Sequence, residues 1–410
     1  MRIRLLTPLL VCLLGIAGAL HPAASQAPSP VTVLPSPAAA GSAEPNLATD
    51  GRGTVWMSWL EPKPGGGHRF RMSRLTGTAW SAPITVAEGT NFMANWADFP
   101  SLFIAADGTM AAHWLERGAS RAAYFVRVRT SRDAGATWSE TITPHKDESA
   151  SEHGFVSFFD APGGGVGLVW LDGREMAGGS HAAGATTHRG SMTLRSTIIR
   201  NGAAGAEMVV DSRVCDCCQT SAARTTDAVL VAYRDRSDKE IRDTSVVRFA
   251  NGAWSQPVTV HADGWEITGC PVNGPVVTTS GNAAAVAWFT GVGNTPKAMV
   301  AFSGDGGRTF GSPIQINAGV TLGRLGMVMP SPDRVLVTSL ERGESGGRLL
   351  LREVRKDGRA AAPIEISKAT LERSGGFARL VRTGSRVVIA WTDMTAGPTS
   401  KIAVAAVEVQ

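Results

Sequence analysis

Leu168-Val169-Trp170-Leu171-Asp172 decides the fold, because the phrase is not alone. An apolar run ending in Trp or a substitute, usually followed by an acid, returns at 56–61, 112–116, 231–235, 286–290, 337–341 and 389–393. The seven copies stand roughly 50 to 63 residues apart. A period of that length marks supersecondary units that must stack to bury a shared core. A second phrase, small-Pro-apolar-x-apolar, runs in step at 82–86, 256–260, 312–316 and 362–366, with weaker forms at 140–143 and 207–210. Its period-two alternation predicts strands. Proline at the strand start loses no ladder bond, so these are outer edge strands.

The seventh outer strand is found at the other end of the chain, at 29–33, while the C-terminal repeat stops after 401–407 without one. The two deficits match if the N-terminal strand completes the last blade, which removes the open edge of a ring. The expected fold is therefore all-β: a β-propeller of seven four-stranded blades, closed by the N-terminal strand. Six blades or a pair of β-sandwiches are the alternatives.

The chain has 410 residues, 43% hydrophobic and 18% charged, enough to bury a full core, so disorder and small disulfide scaffolds are excluded. Its net charge of +5 is weak and dispersed, which argues against a nucleic-acid partner. Arg2 and Arg4 precede an apolar stretch at 5–20 interrupted by Pro8, and Ser25-Gln26-Ala27 supplies small residues for cleavage. Residues 1–27 read as a secretory signal and 28–410 as one domain. The expectation is an exported, periplasmic or secreted protein with no membrane span, monomeric, in an oxidising compartment.

Ser131-Arg132-Asp133-Ala134-Gly135-Ala136-Thr137-Trp138 and Ser303-Gly304-Asp305-Gly306-Gly307-Arg308-Thr309-Phe310 both fit S-x-D-x-G-x-x-[WF]. The Asp accepts turn N–H groups, the Gly permits positive φ, and the aromatic packs the hairpin. With these turns in phase with the repeat, residues 29–410 resemble the sialidase-like BNR/Asp-box propellers. The resemblance implies that the boxes are structural and lie opposite the binding face. It also implies an Arg triad, an Asp acid and a Tyr nucleophile assisted by Glu. The chain has only Tyr124 and Tyr233. Tyr233 takes the register of the repeated Trp, Tyr124 begins a strand with no obvious Glu partner, and no F-R-I-P phrase precedes the first blade. Cleavage of sialosides by the family mechanism is therefore not expected.

In a propeller the loops entering the inner strands share one face with the loops between the second and third strands. That face collects Trp96, Asp98, Glu116, Asp172, Arg174, Arg234, Asp235, Arg236, Arg242, Asn273, Arg324 and Arg379. Arginine forks suit carboxylates and sulfates, so the expected ligand is an acidic glycan or similar anion. Inter-blade salt bridges are the competing role for these residues, and the alternative functions are a glycoside hydrolase of exo-sialidase type or a Cys/His metal or redox site.

Cys215, Cys217, Cys218 and Cys270 fall in two such loops of neighbouring blades, in the phrases CDCC and GCPVNGP. Two disulfides are expected in an exported protein, and no cofactor with them. The alternative is a thiolate site for copper or zinc, joined by His153, His181 or His188. On this reading C-x-C-C departs from the C-x2-C spacing of zinc knuckles.

Overall fold

The computed structural model describes residues 31–120, 123–176, 190–372, 375, 377–395, 397 and 399–409. They form seven antiparallel sheets. Blade 1 runs outward through Ala43–Thr49, Val55–Pro62, His68–Thr76 and Ile84–Gly89, and blade 3 through His153–Asp160, Val166–Asp172, Met192–Arg200 and Met208–Val214. Blades 4, 5 and 6 begin at Ser221–Arg224, Val276–Ser280 and Thr321–Ser331. Blade 2 has Ser101–Ile104, Met110–Arg117 and Tyr124–Ser131. Its fourth position, expected at 140–143, is a single bridge between Val128 and Ile142. Every first strand touches the first strands of both neighbouring blades, so the seven close into a ring.

The repeated phrase forms the second strand of each blade. Val166–Asp172 is buried along its whole length, and Trp59, Trp170 and Trp288 are fully buried. A strand covered on both faces by neighbouring blades reads as a continuous apolar run, not as an alternation. Accordingly each hydrophobic cluster is shared by two adjacent blades. Trp170 packs with Leu115 and Val126 of blade 2, and Trp288 with Leu230 and Val246 of blade 4. In blades 2 and 3 the acid after the Trp has a local function, whereas Trp59 and Trp391 Nε1 find no partner among the described residues. Trp114 Nε1 donates to Glu116 Oε1 at 3.1 Å and Trp170 Nε1 to Asp172 Oδ2 at 2.8 Å. Where Thr290 replaces the acid, Trp288 Nε1 donates instead to Asp263 Oδ2 at 2.7 Å. A buried indole N–H needs an acceptor, and a carboxylate two residues along the strand supplies one.

Blade 7 contains Arg379–Thr383, Arg386–Asp393 and Lys401–Glu408, and Val31–Leu34 pairs antiparallel with the last of these, from Val31↔Val407 to Leu34↔Val404. Leu34 packs between blades 7 and 1, and Trp80 Nε1 donates to Pro35 O at 2.9 Å.

The two eight-residue turns are nearly superimposable in their bonding. Asp133 accepts from Ser131 Oγ at 2.8 Å, Thr137 N at 2.9 Å and Thr137 Oγ1 at 2.6 Å. Asp305 accepts from Ser303 Oγ at 2.8 Å, Thr309 N at 3.0 Å and Thr309 Oγ1 at 2.6 Å. Gly135 has φ +82°, and a Cβ there would stand 1.9 Å from Met72 Cε of the next blade. Among the described residues no helix is long and apolar enough to cross a membrane.

Candidate functional site

All seven inner strands line a central cavity of about 370 Å³ that runs from Asn46 in blade 1 to Arg379 in blade 7. The loops entering these strands crowd one mouth of the cavity. Three of the entries share one irregularity. In blades 1, 3 and 6 the register slips between Ala43 and Asn46, between Gly154 and Ser157, and between Gly323 and Gly326. Each bulge holds a non-glycine residue at positive φ: Glu44 at 59°, Phe155 at 55° and Arg324 at 56°. Such backbone is costly and persists where the surroundings enforce it, commonly beside a functional site.

The side chains at this mouth are poorly compensated. Asp98 is buried; its Oδ1 accepts from Phe155 N at 2.7 Å, while Oδ2 has no hydrogen-bond partner among the described residues. Burial pushes its carboxyl up to about 8, against the pull of the Phe155 N–H and with help from Glu152. Glu44 is pushed up to about 8 by burial and then by Asp98. Gly154 lets Asp98 and Tyr124 approach, because a Cβ there would lie 1.9 Å from Asp98 Oδ2 and 2.9 Å from Tyr124 Cε2. The Tyr124 phenol is pushed up by burial, then by Asp98 and Glu152. Tyr124 bridges to Glu152 along the backbone as well. Glu152, 28 residues on in sequence, is brought beside Tyr124 by this bridge, and its charge reaches the phenol.

At the same mouth two arginines stand over aromatic rings. The Arg379 guanidinium sits 3.8 Å from the Phe99 ring centroid and lines the cavity. Its Nε has no hydrogen-bond partner, and no carboxylate lies within ion-pair distance of it, among the described residues. Burial pulls its pKa down to about 10. Arg324 lies over Trp96 at 5.8 Å and Phe377 at 5.3 Å. Asn273 Oδ1 accepts from Arg324 N at 2.8 Å, which brings blade 5's loop to the same place. A side pocket of about 210 Å³ opens between Glu44, Trp96, Phe99 and Phe377. Chemically, the mouth offers two guanidiniums, aromatic stacking faces and two carboxyls that keep their protons at neutral pH.

A second cluster adjoins it. Cys215 and Cys218 are buried with their Sγ atoms 3.5 Å apart, Cys217 is half-buried and Cys270 exposed, and all four are unbridged thiols. A disulfide needs about 2.05 Å, so the expected bridges are absent from this structure. Cys215 and Cys218 are themselves spaced C-x2-C, which corrects the contrast drawn with zinc knuckles. Arg242 Nη1 donates to Cys215 Sγ at 3.3 Å. The Cys215 thiol is held well below its usual range by the sulfurs of Cys217 and Cys218 and by Arg242 and Arg234. Arg234 donates to Arg242 O at 2.6 Å, Asn273 O at 2.8 Å and Phe289 O at 2.7 Å. Arg236 pairs with Asp216 at 3.0 Å and Glu240 at 2.7 Å. Gln219 links this sector to the mouth, donating to Ala97 O at 2.6 Å and accepting from Gly274 N at 2.9 Å.

The remaining residues named from sequence are engaged elsewhere. Glu116 binds Arg127 at 2.9 Å, and Asp172 takes both arms of Arg174 at 2.7 Å. Asp235 accepts from Ser245 Oγ at 2.9 Å and Arg236 N at 2.7 Å. His153 falls in a separate group from the cysteines. It stacks 3.9 Å from His145, with Nε2 3.0 Å from Asp147 Oδ2 and Nδ1 3.1 Å from Tyr124 O. His181 and His188 lie outside the described residues. Sequence reasoning missed Glu44, Phe99, Glu152 and Phe377. Glu44 had a signal, since Ala43-Glu44-Pro45 enters blade 1 where Gly323-Arg324-Leu325 enters blade 6.

No family model and no curated protein matches the chain. Solved structures do. A polysaccharide lyase of family PL25, an ulvan lyase solved bound to -[GlcA(1-4)Rha3S]-, is 12% identical at TM-score 0.57, covering 90% of this chain and 95% of its own. A protein of unknown function from Dyadobacter fermentans DSM 18053 is 14% identical at TM-score 0.52, covering 93% and 98%. The intramolecular trans-sialidase from Ruminococcus gnavus is 10% identical at TM-score 0.48, covering 90% and 94%. For the first two, at these identities, the likeness is one of fold.

Proposed function

We propose that the protein binds an acidic saccharide, through its carboxylate or sulfate, at the mouth of the central channel. Arg379 is the observation that carries this reading. Its guanidinium faces the cavity over Phe99 with no carboxylate at ion-pair distance among the described residues. A half-buried cation with an unpaired Nε and no counter-ion beside it gains from an arriving anion. Arg324, Trp96 and Phe377 form the adjoining wall, where a sugar ring stacks on aromatic faces. The fold it shares with a lyase solved on -[GlcA(1-4)Rha3S]- is compatible with such a ligand. We further propose that the domain is exported, of the sialidase-like kind its turns resemble, and that pairing of Val31–Leu34 with the last blade is what closes the ring.

The test is calorimetry with acidic oligosaccharides, such as glucuronate-containing and sulfated ones, against neutral counterparts of equal length. Binding of an acidic ligand should weaken at least tenfold in Arg379→Gln, the loss of one charge-assisted contact of about 1.5–3 kcal/mol. Equal affinity for acidic and neutral ligands, or an unaffected variant, would refute the reading.

A second reading rests on Glu44 and Asp98. Carboxyls held near 8 are protonated at neutral pH and suit a general acid for glycosidic bond cleavage. A screen of glycosidase and lyase substrates tests it, with turnover expected to fall at least 100-fold in Glu44→Gln or Asp98→Asn.

A further inference from the structure

The four cysteines have no part in the saccharide reading, and their surroundings ask for an anion. Cys215, Cys217 and Cys218 present sulfurs that all lie within 4.8 Å of one another, with Cys215 and Cys218 at 3.5 Å. Cys270, from the next blade's loop, stands beside Cys217 but outside the group of three mutually close sulfurs, so its loop must move in for it to serve as a fourth ligand. Bonds of about 2.3 Å to one metal ion place thiolate sulfurs about 3.8 Å apart, between those limits. The loop is held from both sides. Cys215 N donates to Arg234 O at 3.0 Å, and Gln219 is anchored at both ends of its amide.

Charge points the same way. Arg234 is buried, is answered by three backbone carbonyls, and has no carboxylate within ion-pair distance among the described residues. Arg242, also buried, pairs with Glu240 Oε2 at 2.9 Å and gives a further N–H to Cys215 Sγ at 3.3 Å. Three or four thiolates on a monovalent or divalent ion leave the centre negative. Buried guanidiniums beside the sulfurs would offset that charge, and the N–H···S contact is the outer-shell bond such centres use.

We propose that Cys215, Cys217 and Cys218, with Cys270 as the fourth sulfur, form a thiolate site for a soft d10 cation, Cu(I) or Zn(II). Such ions select thiolate ligands, and binding releases the thiol protons to solvent. A bound ion would tie the CDCC loop of blade 4 to the GCPVNGP loop of blade 5.

The experiment uses the full chain without a histidine tag, reduced and desalted under anaerobic conditions. One arm is titrated with Zn(II), the other with Cu(I) against a chromogenic Cu(I) chelator. Metal content, ultraviolet thiolate-to-metal absorption and reactive thiols are measured in both. The expected result is about one ion per chain in at least one arm, with at least three thiols protected. Cys218→Ser should weaken binding at least tenfold. Cys270→Ser, at an exposed position, keeps the test interpretable if Cys218→Ser fails to fold, and should release metal faster while leaving the circular dichroism unchanged. Loading far below one ion in both arms with all four thiols reactive would overturn the proposal. So would a folded protein isolated with no titratable thiols, since that means two disulfides. Neither outcome bears on the Arg379 site, which binds its ligand or fails to do so independently.

Discussion

Asp133 and Asp98 are the same side chain on opposite faces of one ring. Asp133, in the turn after a third strand, receives three donors from Ser131 and Thr137 and is held down to about 2 by them. Asp98, in a loop entering an inner strand, receives one N–H and is pushed up to about 8 by burial. The difference is one of satisfaction. The turn face spends its polar groups on its own backbone. The mouth keeps carboxyls and a guanidinium whose partners are incomplete, and pairs them with bulged, positive-φ backbone. Folding alone does not require that arrangement, which is why the function is placed at the mouth.

Both faces depend on the ring staying closed, so the largest effect should come from opening it. Deleting residues 28–36 removes the strand paired with Lys401–Glu408 and the packing of Leu34. Stability should fall by several kcal/mol in chemical unfolding. An unchanged unfolding curve would mean that another contact closes the ring.

The next effect separates the two faces by pH. The carboxyls of Glu44 and Asp98 ordinarily titrate at 4.5 and 3.8 and stand near 8 in the folded chain. The folded state therefore holds protons that the unfolded state has released. Their contribution is fully present below pH 4, falls by at most about 1.4 kcal/mol per pH unit for each group as pH rises, and levels off above 8. Glu44→Gln and Asp98→Asn should each stabilise the protein at pH 8, and flatten this slope between pH 5 and 8. A slope left intact in both variants would assign it to other groups.

On the turn face, Ser131→Ala removes the hydroxyl that serves Asp133 and Gly135 N. It should cost about 1 kcal/mol and leave saccharide affinity unchanged. Altered affinity would break the division between the faces. The smallest effect concerns Tyr124, whose phenol is pushed up by burial and nearby carboxylates, the opposite of what a nucleophile requires. A fluorogenic sialoside should not be turned over, and Tyr124→Phe should change nothing. Turnover that vanishes in this variant would overturn the assignment.

The ring was legible because it is written in strictly local terms. Each copy of the apolar run is one second strand, and Trp59, Trp170 and Trp288 are buried by the neighbouring blades that the period implies. The acids after the tryptophans misled for an equally local reason. Glu116 and Asp172 read as a ligand ring, while the strand geometry uses them to accept an indole N–H two residues back. The mouth was half legible. Trp96, Asp98, Arg324 and Arg379 follow from loop position alone. Glu44 and the Tyr124–Glu152 bridge do not, because their meaning comes from contacts between blades and from bulges that slip the register by one residue. The cysteine sector was visible as composition. Its distances, and the guanidiniums over it, needed the fold.

The central claim is that Arg379 is an anion receptor. The most direct measurement is a crystal structure of the protein soaked with a sulfated, glucuronate-containing oligosaccharide. The account predicts a carboxylate or sulfate oxygen within about 3 Å of the Arg379 guanidinium, with a sugar ring against Trp96 or Phe377. A ligand seated away from the channel mouth, or one that meets Arg379 only through neutral hydroxyls, would contradict it.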